Sequence, residues 1–363
     1  MKPLTVFITG AGAPGTRGVM KCYRIGAKEE GRKMRLVTCD MNPEAYGFHL
    51  ADSFHEVPAG NDPSYVKKIL EICKKEKPDL IVSGVDNELL PLSKARPDFQ
   101  KLGVRVVLSD SKAIEIAIDK AKTYEFFKGS KFVPKYIIVK NSKEFRKAAG
   151  ALGYPDSPVC FKPAYSYGMR GFRILKDVDR GEMFFREKPA SVFMGLQEAA
   201  EIFEKHEKKN GLPTMLVMEY LEGKEYTVDL LLNNGEPLMT IPRERVATRQ
   251  GISTIARIEK NQEIIEIAET IAKKLGLNYN ANMQLKYSSN GIPKLIEVQP
   301  RLAGTTIACA GAGANLPYLA LKMALSEKFT IPEVKWGTVA KRFWEEVYSD
   351  GKKGWFYGIK DDF

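Results

Sequence analysis

The first hundred residues alternate between short apolar runs and longer amphipathic stretches. Runs over Thr5–Thr9, Arg35–Cys39, Leu80–Ser83 and Arg105–Leu108 predict strands. Between them, Ser64–Lys75 sets Val66, Ile69, Leu70 and Cys73 on one helical face. Strands that alternate with helices predict a parallel sheet. Beyond Ser111 the pattern changes. "SKAIEIAIDKAKTYEFFK" predicts one helix, followed by short strands at Tyr136–Val139, Val159–Lys162 and Arg173–Leu175, and by a helix near Gln197–Lys209. From Leu216 strands dominate, over Leu216–Tyr220, Glu225–Leu232, Met283–Tyr287 and Lys294–Val298, with one helix at Gln262–Leu275. This mixture predicts an α+β module rather than continued double winding.

A length of 363 residues predicts two or three domains. Hydrophobic residues at 44% and charged residues at 28% describe an ordinary globular protein. No apolar run reaches the roughly 18 residues that span a bilayer, and no membrane partner is expected. The chain enters a strand-like run almost at once, so a cytoplasmic location is expected. The five cysteines are scattered and form no C-x-x-C, and the three histidines have no metal-ligand spacing. The net charge of +11 is spread among neighbouring glutamates, as in "EKHEKK", so no nucleic-acid partner is expected. A pocket for a polyanionic small molecule accounts for part of the excess.

"FITGAGAPGTRG" contains Gly10-x-Gly12-x-x-Gly15 after a strand, and Asp40 closes the second strand. Both features suit a dinucleotide site, although Pro14 inside the turn changes its shape. Asp86 and Glu88 follow the Leu80–Ser83 strand, where open parallel sheets contact ligands. They hold a substrate amine or cap the following helix; both readings stand.

The second part carries more chemistry. Lys162 precedes a loop with Gly168 and Gly171, whose freed amides could approach phosphate oxygens. Glu219 and Glu225 bracket a turn at Gly223; they could take an adenine amino group and ribose hydroxyls, or form a plain polar hairpin. "NMQLKYSSNGIPKLIEVQPRLAGTT" predicts a hairpin turning at Asn290-Gly291. Gln284 lies on one strand; Glu297, Gln299 and Arg301 follow at two-residue spacing on one face of the other. The oxygens of Gln284, Glu297 and Gln299 suit Mg²⁺, which also keeps phosphate and water ligands, and Arg301 would sit beside the same phosphates. "IPRERVATRQGISTIARIE" is expected as a long loop whose Arg243, Arg245, Arg249 and Arg257 bind acidic substrate or simply make a basic surface.

In order and spacing, Lys162, Glu219, Glu225, Gln284 and Glu297-x-Gln299-Pro300-Arg301 resemble the nucleotide site of the ATP-grasp superfamily. Asp119-Lys120 resembles its earlier phosphate-facing basic residue. "QPRLAGTT" is most similar to one synthetase half of the carbamoyl-phosphate synthase large subunit, although Gln299 replaces the usual Asn and Met169 a small residue. The resemblance covers about residues 4–325. It implies an α/β, Rossmann-like pre-ATP-grasp domain (1–112), a two-lobed α+β ATP-grasp module (113–215 and 216–330) and a C-terminal extension (331–363). It implies ATP bound by Lys120, Lys162, Gly168, Gly171, Glu219, Tyr220 and Glu225, and Mg²⁺, with Mn²⁺ as an alternative, on Gln284, Glu297 and Gln299. Catalysis falls to Arg301, Lys162 and Arg243, and substrate contacts to Gly12, Asp86, Glu88 and Arg245. The expected reaction joins a carboxylate to an amine through an acyl phosphate and releases ADP and phosphate. A bicarbonate-using enzyme, a small-acid kinase and a non-catalytic nucleotide-binding subunit are the alternatives. Related enzymes suggest a homodimer.

Overall fold

A computed structural model describes residues 3–166, 168–177, 192–350, and Gly181, Phe185, Gly354 and Trp355. The chain divides into two compact units, each discontinuous in sequence. Residues 1–117, 226–284 and 298–363 form the first; residues 118–225 and 285–297 form the second.

The first unit begins with β1 (Leu4–Thr9), α1 (Thr16–Glu29), β2 (Met34–Asp40), β3 (Ser53–Glu56), α2 (Tyr65–Glu76), β4 (Leu80–Ser83), α3 (Asp86–Lys94), α4 (Arg96–Lys101), β5 (Arg105–Val106) and α5 (Ser111–Ala117). The sheet order is β3-β2-β1-β4-β5, parallel throughout. β1, β2 and β4 read as continuous apolar runs because helices cover both faces of such a sheet. β3 was not legible: "SFHE" alternates between half-buried and exposed positions at the sheet edge.

The second unit holds α6 (Lys120–Phe126), β6 (Tyr136–Val139), α7 (Ser142–Ala151), β7 (Val159–Pro163), β8 (Arg173–Leu175), β9 (Phe193–Met194), α8 (Leu196–Asn210) and β10 (Met215–Glu219). Its sheet has the order β6-β10-β7-β8-β9. Phe145 of α7, Phe161 of β7 and Phe203 of α8 pack ring against ring, with centroids 4.6–5.4 Å apart, and anchor the core of this unit.

The expected single helix over 111–128 is two helices. Asp119 takes an extended backbone, and its carboxylate accepts hydrogen bonds from the amides of Ala121 and Lys122 at 2.9 and 3.1 Å. An Asp N-cap satisfies donors that a continuing helix would have paired, so it starts a new helix rather than extending the old one. Lys120 thereby becomes the first residue of α6.

The remaining elements are β11 (Glu225–Asn233), β12 (Glu236–Arg249), β13 (Ile252–Ile258), α9 (Gln262–Leu275), β14 (Tyr279–Tyr287), β15 (Pro293–Gln299), α10 (Ile307–Gly311), α11 (Leu316–Ala324) and β16 (Val339–Lys341). A six-stranded sheet runs β15-β14-β11-β12-β13-β16. The long loop expected over 241–259 is instead the antiparallel hairpin β12–β13. Gln250 and Gly251 turn it with φ of 50° and 77°, the left-handed pair that a two-residue hairpin turn requires. The arginine-rich composition of this stretch hid an ordinary strand alternation.

One core unites the first unit. Val6, Ile8 and Leu36 of the parallel sheet, Met20 and Tyr23 of α1, Leu231, Ile241 and Ile258 of the large sheet, and Leu316 and Tyr318–Leu321 of α11 belong to a single buried cluster.

Candidate functional site

All seven residues expected to bind ATP lie in the second unit, as does Glu297. Lys120 enters from the start of α6 and Lys162 from the end of β7. The ammonium of Lys120 stands 3.3 Å from the Glu297 carboxylate and donates to the Ser166 carbonyl at 2.6 Å. Lys162 donates to the Ile296 carbonyl at 2.9 Å. Tyr124, fully buried, donates to the Leu295 and Ile296 carbonyls at 3.0 and 2.9 Å and so fixes the strand under both lysines. Each lysine is only 5–6% exposed. Burial, with the neighbouring Lys120 charge, pushes Lys162 from a lysine's ordinary 10.5 down to about 8; Glu297 and Glu225 oppose that fall. Lys120 pairs with Glu297, and burial leaves Lys162 with a cost for holding its charge. A polyanion would relieve it.

After β7 the chain passes Gly168, Met169 and Gly171, with φ of 63°, 59° and 75°. A side chain at Gly171 would meet the Pro163 ring at 2.7 Å, so the glycine lets this loop fold back on the strand carrying Lys162. Glu219 ends β10, and one of its oxygens accepts the Lys135 amide at 2.8 Å. Glu225 opens β11 after the turn, and the Gly223 amide within that turn donates to the Tyr287 carbonyl at 2.9 Å. The Lys286 ammonium sits 4.8 Å from the Tyr220 ring centre.

Gln284 lies on β14, and Glu297 and Gln299 lie on β15, the neighbouring strand in the sheet; all three are half-buried. Among the described residues no group of three or more His, Cys, Asp or Glu is placed to hold a metal. The expected set contains one carboxylate, Glu297, with two amide oxygens. Such oxygens suit Mg²⁺ completed by phosphate and water. A cation on Glu297 would compete with Lys120 for its carboxylate.

In the first unit the structure rearranges several expectations. β15 ends at Gln299, so Arg301 lies beyond the strand rather than on its face. Its Nε and Nη2 donate to the two Asp86 carboxylate oxygens at 2.7 and 2.9 Å, joining two expected site residues. Asp86 is the first residue of α3 and makes no side-chain cap. Glu88, 6% exposed, accepts hydrogen bonds from the hydroxyls of Thr9 and, at 2.9 Å, Ser83. Burial raises its carboxyl to about 7. Arg243 is not in a loop. It is fully buried on β12, donating through Nε to Asp229 and through Nη1 to Thr305, both at 2.6 Å. Arg245, two residues on, donates to the Gly251 carbonyl at 2.7 Å across the hairpin end.

The glycine-rich turn has its own explanation. The Gly12 amide donates to Asp40 at 2.7 Å, and Asn42 caps the other oxygen at 2.9 Å. The acid that a nucleotide reading would give to ribose is thus bound to the turn itself. A side chain at Gly15 would lie 2.5 Å from the Gly304 Cα, so this glycine permits close approach of the "LAGTT" loop.

Sequence reasoning missed Tyr124, Lys286, Asp229, Asn282 and Thr305. Lys286 was within reach, because two-residue spacing puts it on the Gln284 face of β14. Asp229 and Tyr124 gave no local signal; only tertiary contact reveals them.

A family model described as ATP-grasp in the biosynthetic pathway with Ter operon matches residues 211–343. One described as PylC-like, N-terminal domain matches residues 7–107. The C-terminal section of the carbamoyl phosphate synthase large chain of Aquifex aeolicus is 23% identical over 326 residues, covering 85% of this chain and 54% of that one. Carbamoyl-phosphate synthase of Methanobrevibacter smithii is 23% identical over 317 residues, covering 82% and 76%. The chain spans 14%, 54% and 24% of the first three curated relatives it matches. Among solved structures, N5-carboxyaminoimidazole synthetase from Staphylococcus aureus complexed with ADP superposes with a TM-score of 0.68 at 15% identity, covering 93% of this chain and 82% of that one. The biotin carboxylase domain of the 2-oxoglutarate carboxylase of Hydrogenobacter thermophilus gives 0.66 at 17% identity, covering 93% and 74%. The fold is that of ATP-grasp enzymes behind a PylC-like N-terminal domain, as the sequence resemblance implied.

Proposed function

We propose that this ATP-grasp chain is an ADP-forming ligase that activates a carboxylate as an acyl phosphate and passes the acyl group to an amine. The observation that carries this reading is the pair of buried lysines in the second unit, Lys120 against the Glu297 carboxylate and Lys162 on the Ile296 carbonyl of the same strand. Their charge is matched to a triphosphate, and Glu297, which pairs with Lys120, is the carboxylate that a metal would take.

In this reading Glu219 and Tyr220 meet the adenine, and Glu225 accepts from the ribose hydroxyls. Lys162, Lys120 and the amides around Gly168 and Gly171 hold the phosphates. Glu297, Gln299 and Gln284 would hold Mg²⁺, which when bound neutralises charge on the β- and γ-phosphates. The carboxylate oxygen attacks the γ-phosphorus, the bond to the β,γ-bridging oxygen breaks, and ADP leaves with that electron pair. The amine then adds to the acyl carbon, and phosphate departs with one former carboxylate oxygen. Lys120, Lys162 and Arg301 stabilise charge that spreads in transfer, so positioning and electrostatics supply the rate. Gly12, Asp86, Glu88 and Arg245 remain the candidates on the substrate side. A homodimer that works on small molecules is part of this reading, the biotin carboxylase domain of the Hydrogenobacter thermophilus enzyme being described as a dimer. No helix among the described residues is long and apolar enough to cross a membrane.

The test is ADP release from Mg-ATP across pooled small carboxylates, including bicarbonate, each with and without pooled amines. Release that needs both pools supports the ligase. Release with a carboxylate alone favours a kinase, and tight binding without release favours a regulatory subunit.

A further inference from the structure

The segment Pro300–Thr306 is short and irregular, yet it is gripped from four directions within the first unit. Asn282 of β14 donates to the Arg301 carbonyl at 2.8 Å. Arg243 of β12, fixed by Asp229 of β11, donates to Thr305 at 2.6 Å. Gly304 lies against Gly15 at the start of α1, where no Cβ fits. Asp86 of α3 takes the Arg301 guanidinium side-on with both oxygens. The Asp86 and Arg301 side chains are only 12% and 13% exposed. Two parallel N–H···O bonds fix the plane of a guanidinium as well as its place. A buried pair anchored at a helix terminus loses little entropy on forming, unlike a surface pair.

From this we infer that Asp86 is a positioning residue for Arg301. It fixes the place and plane of the guanidinium, and the Arg243–Asp229 brace holds the loop behind it. The inference rests on the phosphate-facing role proposed for Arg301. It reassigns Asp86 from the substrate amine, and Arg243 from direct catalysis to support.

The experiment compares affinity for two probes with Mg²⁺ present: the non-hydrolysable β,γ-imido analogue of ATP, and ADP. Their ratio isolates contacts to the γ-phosphate, and ADP affinity controls for folding. Arg301→Ala should lower the ratio about tenfold, the size of one charge-assisted contact. Asp86→Asn, which keeps shape and removes charge, should lower it severalfold. Asp86→Glu should recover part of the loss. The double variant Asp86→Asn/Arg301→Ala should be no worse than Arg301→Ala alone, because Asp86 acts only through Arg301. If Arg301→Ala lowers the ratio and Asp86→Asn leaves it unchanged or raises it, Asp86 is idle or competes with phosphate, and the inference falls while the functional reading stands. Additive losses in the double variant would give Asp86 its own ligand and also overturn it. An unchanged ratio in Arg301→Ala would overturn the phosphate role of Arg301 itself. Asn282→Ala, which loosens the loop without touching charge, should reproduce a smaller loss; full retention there counts against the brace.

Discussion

Lys162 offers a direct physical test of the buried cation pair. In the unfolded chain its ammonium titrates near 10.5; in the fold it titrates near 8. At about 1.4 kcal/mol per pH unit, keeping Lys162 charged in the fold costs about 3 kcal/mol. Below pH 8 both states hold the proton, and the full cost is present. Between pH 8 and 10.5 the folded state has released the proton while the unfolded state still holds it, so stability rises with pH. Above 10.5 the cost is gone. Lys162→Met removes the titration and leaves other groups nearly unchanged. Urea unfolding of both proteins should therefore show wild type gaining about 3 kcal/mol on the variant between pH 7 and 10.5. In the proposed role of Lys162, nucleotide phosphates would restore the ammonium. Calorimetry of Mg-ATP binding at pH 9, in buffers of different ionisation enthalpy, should thus show uptake of up to one proton, absent in Lys162→Met. A stability difference that stays flat, or wild type losing ground as pH rises, would refute the reasoning.

Other outcomes follow from single contacts. Glu225→Ala should weaken Mg-ATP binding by about 1.5–3 kcal/mol in calorimetry with melting behaviour unchanged, the loss expected for a hydrogen bond to a charged acceptor. Asp229→Ala leaves Arg243 charged and unpaired in the core, so it should destabilise by about 3–5 kcal/mol by urea unfolding. Glu88 titrates near 7 in the fold against 4.5 unfolded. The folded state binds the extra proton between those values, so stability falls as pH rises from 4.5 to 7, by about 3 kcal/mol relative to Glu88→Gln. Gly15→Ala should cost about 1–3 kcal/mol by overpacking against Gly304, seen as a lower melting temperature.

The legible parts of the fold were those written in local periodicity. The parallel strands β1, β2 and β4 and the helix Gln262–Leu275 carry their own apolar pattern and appear where it puts them. The β12–β13 hairpin is hidden in the sequence because its arginines interrupt the apolar alternation that marks a strand. Arg243 shows the consequence: a residue that looks exposed by type is buried because Asp229, fourteen residues earlier, neutralises it. The break at Asp119 was visible as a capping residue but lay inside an otherwise good helical pattern. For the candidate site, Lys162, Glu219 and Glu225 were visible in the sequence because each sits near a strand end. The Asp86–Arg301 pair was not, since 215 residues separate its partners and neither has a local mark of the other.

The central claim is that the β,γ bond of ATP breaks to make an acyl phosphate. Phosphorus NMR of Mg-ATP incubated with the protein and pooled carboxylates and amines tests it most directly. The account predicts ADP and inorganic phosphate in equal amounts, dependent on both pools and reduced by orders of magnitude in Glu297→Ala. AMP and pyrophosphate, or near-normal turnover in Glu297→Ala, would contradict it.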